Sequence, residues 1–140
     1  VSCSKKLFET CGTTAQDYNY AIFHQPNGKF PLRVAKSLGF SPEQIKDGLL
    51  CPKIGNTYSG AVPLGLCSVL DVAKPGERIM ATAYGSGAGS DSFDITVTDE
   101  ILSLRERNLP SIMQIIENTC FVDYAMYAKM RGKILMGVKG

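Results

Sequence analysis

The sequence has a single histidine, no Cys-x-x-Cys pair, and no apolar run near the ~18 residues a membrane-spanning helix needs. Each absence excludes a class. With His24 alone and Cys3, Cys11, Cys51, Cys67 and Cys120 scattered, a tetrahedral zinc site would have to gather ligands from across the chain, so no metal is expected. The odd cysteine count argues against a disulfide framework and for five reduced thiols, buried as small apolar residues. Charge of one sign is missing too. Lys+Arg 15 against Asp+Glu 13 gives +2, which argues for neither nucleic acid nor a membrane surface as partner. The N-terminus lacks the basic, apolar, small-residue order of a signal peptide, so a cytoplasmic location is expected. What remains is a 140-residue chain, 44% hydrophobic and 20% charged, the composition of one globular domain. It opens without Met on Val1-Ser2-Cys3-Ser4-Lys5-Lys6-Leu7-Phe8, which patterns as mid-helix, and we expect the 140 residues to be part of a longer protein.

The pattern along the chain is α/β. Ser4 to Cys11 reads as a helix stopped by Gly12, and Tyr18 to Phe23 as a mostly buried strand ending in the turn His24-Gln25-Pro26-Asn27-Gly28. Pro31 opens a helix with Phe30, Val34 and Leu38 as its apolar stripe, and Ser41-Pro42-Glu43-Gln44 is a capping box before a short helix. A flexible stretch from Ile54 to Ala61 leads into Val62 to Ala73, apolar nearly all round and expected to be buried on most sides. Arg78 to Tyr84 and Ser92 to Thr98 read as strands joined by a glycine loop. In the second, Phe93, Ile95 and Val97 should face the core while Ser92, Asp94 and Thr96 face solvent. From Asp99 on the pattern is helical, with Phe121, Tyr124, Ala125 and Ala128 as the apolar stripe and a basic end (Lys129, Arg131, Lys133, Lys139).

Three loops carry candidate chemistry. His24 follows a buried strand, where open α/β sheets place ligands, and can act as acid, base or charge-assisted donor; a turn histidine bonded to backbone is the plainer alternative. Asn56, in Gly55-Asn56-Thr57, is either a helix N-cap or an amide that donates to a developing oxyanion. Gly85-Ser86-Gly87-Ala88-Gly89-Ser90 is neither a P-loop nor a dinucleotide fingerprint, yet has more glycine than a hairpin needs. That suits backbone N–H groups approaching a ligand closely.

Taken together, Phe23-His24-Gln25-Pro26-Asn27-Gly28-Lys29-Phe30-Pro31, Gly55-Asn56-Thr57-Tyr58-Ser59-Gly60-Ala61 and Tyr84-Gly85-Ser86-Gly87-Ala88-Gly89-Ser90-Asp91 resemble the C-terminal half of 3-hydroxy-3-methylglutaryl-CoA (HMG-CoA) synthases, the archaeal branch above all. The tail Tyr124 to Lys133 resembles that branch's C-terminal extension. The resemblance implies an α/β thiolase-like half-domain at residues 1–98, with a mixed sheet, a final β-hairpin and an N-terminal truncation, followed by a helical extension at 99–140. It implies a reaction in which a cysteine is acetylated by acetyl-CoA, a glutamate deprotonates the acetyl group, and the carbanion adds to acetoacetyl-CoA. HMG-CoA for the mevalonate pathway is then freed by hydrolysis.

Carried over position by position, the resemblance makes His24 the residue that polarises the acetoacetyl ketone and Asn56 the one that helps hold the same thioester. It makes Lys29 a CoA contact, Tyr58 part of the pocket wall, and the backbone at Ser86 and Gly87 the donor to the acyl-cysteine carbonyl. The family's nucleophilic cysteine and glutamate base lie in its N-terminal half, and none of the five cysteines here has that context, so the chain alone is expected to be inactive. The implied partners are that N-terminal half, a second copy, acetoacetyl-CoA thiolase and a small zinc-containing bridging protein, with CoA thioesters as substrates and no cofactor. Half of a β-ketoacyl synthase III is the enzymatic alternative, and a non-catalytic scaffold subunit is the other.

Overall fold

In a computed structural model of the chain, residues 1–85 and 87–133 are described. Helix α1 (Ser2–Cys11) ends on Gly12 in the left-handed conformation, as a C-terminal glycine should. Strand β1 (Tyr20–Phe23) follows, then α2 (Lys29–Leu38), α3 (Pro42–Ile45), α4 (Cys51–Ile54) and α5 (Ala61–Val72). Strands β2 (Arg78–Tyr84) and β3 (Ser90–Thr96) form the hairpin, and α6 (Glu100–Glu106), α7 (Ile112–Glu117) and α8 (Tyr124–Met130) make up the described tail. The sheet order is β1-β2-β3, with β1 parallel to β2 and β3 antiparallel to it. The α/β order with a hairpin is what the pattern implied, and the mixed sheet is what the resemblance implied.

Alternation along the strands divides the core into two layers. Ala21, Phe23 and Met80 point to one face, where Tyr18, Ala35, Phe40 and Ile45 cover them with help from Leu7 and Phe8 of α1. Phe40 sits about 6 Å, ring to ring, from Phe8, Tyr18 and Phe23, so aromatic contacts tie α1 and α2 to β1. Ile22, Ile79 and Ala81 point to the other face, against Val62 and Val69 of α5 and Ile101 of α6.

Five sequence expectations change. Asn27 Oδ1 accepts from the backbone N–H groups of Lys29 and Phe30, so α2 starts two residues before Pro31. Its inward residues are Pro31, Val34, Ala35 and Leu38, while Phe30 is 55% exposed. Helix α5 is buried on one side only: Pro63, Cys67, Asp71 and Val72 are exposed. On β3 the polar face is the covered one at Ser92 and Asp94, because α1 packs over it and Thr82 and Arg78 supply partners, whereas Phe93 is 52% exposed. In the tail Phe121 lies outside α8 and is 87% exposed, Tyr124 and Ala125 are exposed, and only Ala128 is buried. Of the cysteines only Cys51 is buried; Cys3 is half-buried and Cys11, Cys67 and Cys120 are exposed.

Two polar devices fix the hairpin. Arg78 donates from Nε to Asp94 Oδ1 at 2.7 Å and from a second nitrogen to Oδ2, a two-pronged pair across neighbouring strands, with the Tyr18 ring stacked on its guanidinium. Ser4, Thr82 and Ser92 form a hydroxyl chain that joins α1 to both hairpin strands. The Arg78 guanidinium holds the Asp94 carboxyl below its ordinary value. The stability this contributes is complete above the unfolded carboxyl value, about 4, and is lost as pH falls through the lowered folded one. Thermal unfolding followed from pH 5 down to about 2 should therefore show a steeper loss for the wild type than for Asp94→Asn. Equal slopes would mean the pair does not set the acid limb.

Helix α5 comes close to the sheet at Gly65. A Cβ there would lie 2.8 Å from Ile22 Cγ2 and 2.9 Å from the Gly48 carbonyl oxygen. Gly65→Ala should destabilise the fold by about 1–3 kcal/mol by denaturant unfolding, as overpacking does. A neutral substitution would mean that α5 can lift off the sheet at no cost.

Candidate functional site

Strand β1 ends at Phe23, and His24 continues it by one backbone hydrogen bond, donating its N–H to the Thr82 carbonyl at 3.0 Å. The imidazole is thereby carried at the carboxyl ends of two parallel strands, the end where this sheet type presents ligand chemistry. It is half-buried, with its ring centroid 6.1 Å from that of Tyr84, the last residue of β2.

A cleft of about 380 Å³ opens beside it, lined among others by Phe23, His24, Phe30, Val34, Thr82 and Tyr84. The walls are largely apolar and aromatic, with the His24 imidazole and the Thr82 and Ser90 hydroxyls among them, a composition suited to an acyl or thioester group. A depression of about 440 Å³ elsewhere, beside Lys46, Lys53 and Asp71, contains none of the three motifs, and we place the site at His24.

From the three motifs the cleft also takes Pro26 and Ser90, whereas Lys29, Asn56, Tyr58 and Gly87 are not among its lining residues. Lys29 sits exposed in the first turn of α2, one residue before Phe30. The Asn56 loop leaves α4 through Gly55, at φ 77, and enters α5 through a single helical turn at Tyr58–Gly60, so the expected flexible stretch is largely shaped. Asn56 does not cap α5. Its Oδ1 accepts the Tyr58 N–H at 2.8 Å, and Tyr58 itself is left-handed at φ 51 with its ring 73% exposed. Asn56 is exposed, and among the described residues its amino group has no hydrogen-bond partner. The glycine loop is closed by the Gly85 N–H to the Gly89 carbonyl at 2.9 Å, with Gly87 at φ 117, a conformation reserved for glycine. Ser86 lies outside the described residues, as does Lys139.

One residue of the first motif received no role from the sequence. Gln25 is 3% exposed, and its carboxamide is fully used. Its Oε1 accepts from the Leu50 and Cys51 N–H groups at 2.8 and 2.7 Å, while Nε2 donates to the Gly48 carbonyl at 2.8 Å. Gly28 adds a second contact between the loops, since a Cβ there would touch Pro52 of α4 at 3.3 Å. The signal in the sequence was a long polar residue between a site histidine and Pro26, but only its burial separates it from a surface glutamine. Tyr84 and Phe30 were likewise missed as lining residues, having been assigned to a strand end and a core stripe. Among the described residues no group of three His, Cys, Asp or Glu could hold a metal.

Comparison with known proteins follows the same segments. Residues 8–95 match the family described as 3-oxoacyl-[acyl-carrier-protein (ACP)] synthase III, C terminal. Hydroxymethylglutaryl-CoA synthases from Methanocaldococcus jannaschii and Methanosphaera stadtmanae are 58% and 57% identical to the chain over 136 residues, 97% of its length. That from Thermoplasma acidophilum is 55% identical over 137 residues, 98% of the chain. The chain spans 39% of the length of each of these relatives.

Among solved structures, the HMG synthase of the curacin biosynthetic pathway with apo donor-ACP superposes with a TM-score of 0.67 at 20% identity, covering 85% of this chain and 33% of that one. An HMG-CoA synthase complexed with CoA gives 0.57 at 23%, covering 85% and 36%. The 3-oxoacyl-(acyl carrier protein) synthase III of Pseudomonas aeruginosa gives 0.63 at 22%, covering 70% and 31%. At these identities the likeness is one of fold, and the fold is the thiolase-like α/β arrangement.

Phe30 tests the placement of the cleft. As an exposed wall residue, Phe30→Ala should change unfolding free energy by less than about 0.5 kcal/mol. Phe40→Ala, from the aromatic core, should cost about 3–5 kcal/mol. Similar losses at both positions would put Phe30 in the core instead of the cleft wall.

Proposed function

The chain belongs to the 3-oxoacyl-[acyl-carrier-protein] synthase III C-terminal family, and from that premise we propose that it is the histidine-bearing part of an HMG-CoA synthase. The observation that carries this reading is 55–58% identity to archaeal enzymes of that name over nearly the whole chain. It favours HMG-CoA synthesis over a β-ketoacyl synthase III, since the solved Pseudomonas aeruginosa synthase III is 22% identical to the chain. The family match ends at residue 95, in keeping with a half-domain at 1–98 and a helical extension at 99–140. Arg105 of α6 donates to the carbonyls of Leu70 and Ala73, and the Ile112 N–H donates to Asp71, so the start of the extension is anchored on α5.

In this reading acetoacetyl-CoA occupies the His24 cleft. The imidazole donates to the ketone oxygen as it becomes an alkoxide, and Asn56 donates from its unused amino group to the thioester, as electrostatic stabilisation requires. Both are hydrogen-bond donors on fixed backbone, which lowers the reorganisation needed when charge develops. Lys29, exposed beside the cleft entrance, provides a mobile positive charge for a CoA phosphate. Tyr58 extends the wall, and the glycine-loop backbone at Gly87 donates to the acyl-cysteine carbonyl. The cysteine nucleophile and glutamate base come from an N-terminal half, and the 140 residues alone do not turn over. The same reading carries a cytoplasmic enzyme of the mevalonate pathway, with a second copy, acetoacetyl-CoA thiolase and a small zinc-containing bridging protein as partners.

Complementation tests it. The chain, mixed with a cysteine-bearing N-terminal half, acetyl-CoA and acetoacetyl-CoA, should form HMG-CoA, and His24→Ala should lower kcat about 10²–10³-fold. HMG-CoA formation by the chain alone would refute the division of residues, and failure of a folded, complemented pair would refute the function. Lys29→Ala should weaken CoA binding about 2–5-fold, the range of one exposed ion pair, and flatten its salt dependence. Unchanged affinity would remove Lys29 from the site.

A further inference from the structure

We infer that Gln25 is the positioning residue that sets His24 and the Asn56 loop relative to each other. The inference deepens the function proposed above, and so rests on it for its catalytic meaning, but its geometric content stands alone. Gln25 follows His24 directly, so its own backbone is the continuation of the strand end that carries the imidazole. Its side chain leaves the cleft entirely and enters the space between β1, α4 and α5.

Four backbone groups surround it there. The N–H groups of Leu50 and Cys51 begin α4, the helix that runs into Gly55 and Asn56. The Ala61 carbonyl, 3.5 Å from Nε2, begins α5 on the far side of the same loop. The Gly48 carbonyl, at 2.8 Å, closes the set. One carboxamide thus holds the chain just before and just after the Asn56 loop while its own backbone holds His24.

The chemistry of the set is specific to an amide. Two N–H donors face one oxygen, and carbonyl oxygens face the NH₂ group, so only a residue with both an acceptor and a donor end satisfies the four. Gly65 lies against the same group: a Cβ there would collide with the Gly48 carbonyl oxygen that Gln25 bonds, at 2.9 Å, and would stand in ordinary contact with Nε2 at 3.5 Å. Burial of these groups without Gln25 would leave several backbone dipoles unpaired. The loop would then have to move to find water, and Asn56 would move with it.

Nuclear magnetic resonance of the 140-residue chain tests the geometry without any assumption about activity. In Gln25→Met, which keeps the length and removes the polar ends, the His24 ring, Asn56 side-chain amide and Tyr58 backbone amide signals should all shift. The Phe8, Tyr18 and Phe40 ring signals should stay in place. Signals of His24 and the Asn56 loop that stay put in a folded Gln25→Met would overturn the inference. If Gln25→Met does not fold, Gln25→Glu is measured instead, since it keeps the oxygen that takes both N–H groups and loses only the donor end; the same signals decide.

Turnover with the complementing half then gives the functional readout. Gln25→Met should lower kcat about 10²-fold, as misplacement by an ångström does, with a smaller effect on KM. Added to Asn56→Ala it should cost little more, because both act through one loop. Additive losses would mean that Gln25 supports the fold and not the site. If wild-type complementation yields no HMG-CoA, the proposed function fails while the resonance experiment still decides the role of Gln25.

Discussion

A single buried carboxamide organises the region where strand, loops and helix meet. Gln25 satisfies backbone groups that no regular ladder satisfies, at the turn at Gly48 and the start of α4, and it also reaches the first carbonyl of α5 at 3.5 Å. Unpaired groups at that depth would each cost about 1–3 kcal/mol, so the arrangement is all or nothing. The approach that makes it possible is equally demanding. Gly65 and Gly48 flank Ile22 so closely that a Cβ on either would lie 3.0 Å or less from an Ile22 atom. Small residues on α5 and in the turn before α4 let the helix sit low on the sheet, and the low seat brings the helix start within reach of Gln25.

That packing explains where the cleft is. The two parallel strands end together at Phe23 and Thr82–Tyr84, and the chain turns away there in opposite senses, into the Gln25 turn and into the glycine loop. Between them lie the His24 ring, the Tyr84 ring and the exposed Phe30 side chain. The hairpin edge is kept rigid from the other side by the Arg78–Asp94 pair and the Ser4–Thr82–Ser92 hydroxyl chain. Thr82 serves both ends of this scheme. Its carbonyl takes the His24 N–H and its hydroxyl belongs to the chain below, so the imidazole rests on a fully hydrogen-bonded floor.

Several surface features also follow from packing and not from residue type. The polar face of β3 is partly covered at Ser92 and Asp94 because α1 lies over it, with Ser4 wholly buried and Cys3 donating to the Ser90 carbonyl at 3.1 Å. The apolar face of β3 is covered only at Ile95 and Val97, where α5 and α6 reach, and Phe93 stays half in the open. A similar limit applies to α5, whose apolar composition exceeds what one sheet face can cover.

The amino-acid sequence alone determined the order of the elements apart from α4, the Gly12 stop, the Ser41 capping box and the limits of β2, because these depend on local backbone preferences and alternation. It also carried the three loop motifs and hence the family, since motif identity needs no coordinates. The tertiary structure decided which apolar residues are inside. Phe30, Phe93 and Phe121 have the same chemistry as Phe8, Phe23 and Phe40, and only the position of neighbouring elements separates cleft wall and open surface from core. It decided too that Gln25, an ordinary polar residue in a turn, is buried and fully bonded. A side chain's hydrogen-bond partners here lie more than twenty residues away, a distance that no local pattern encodes.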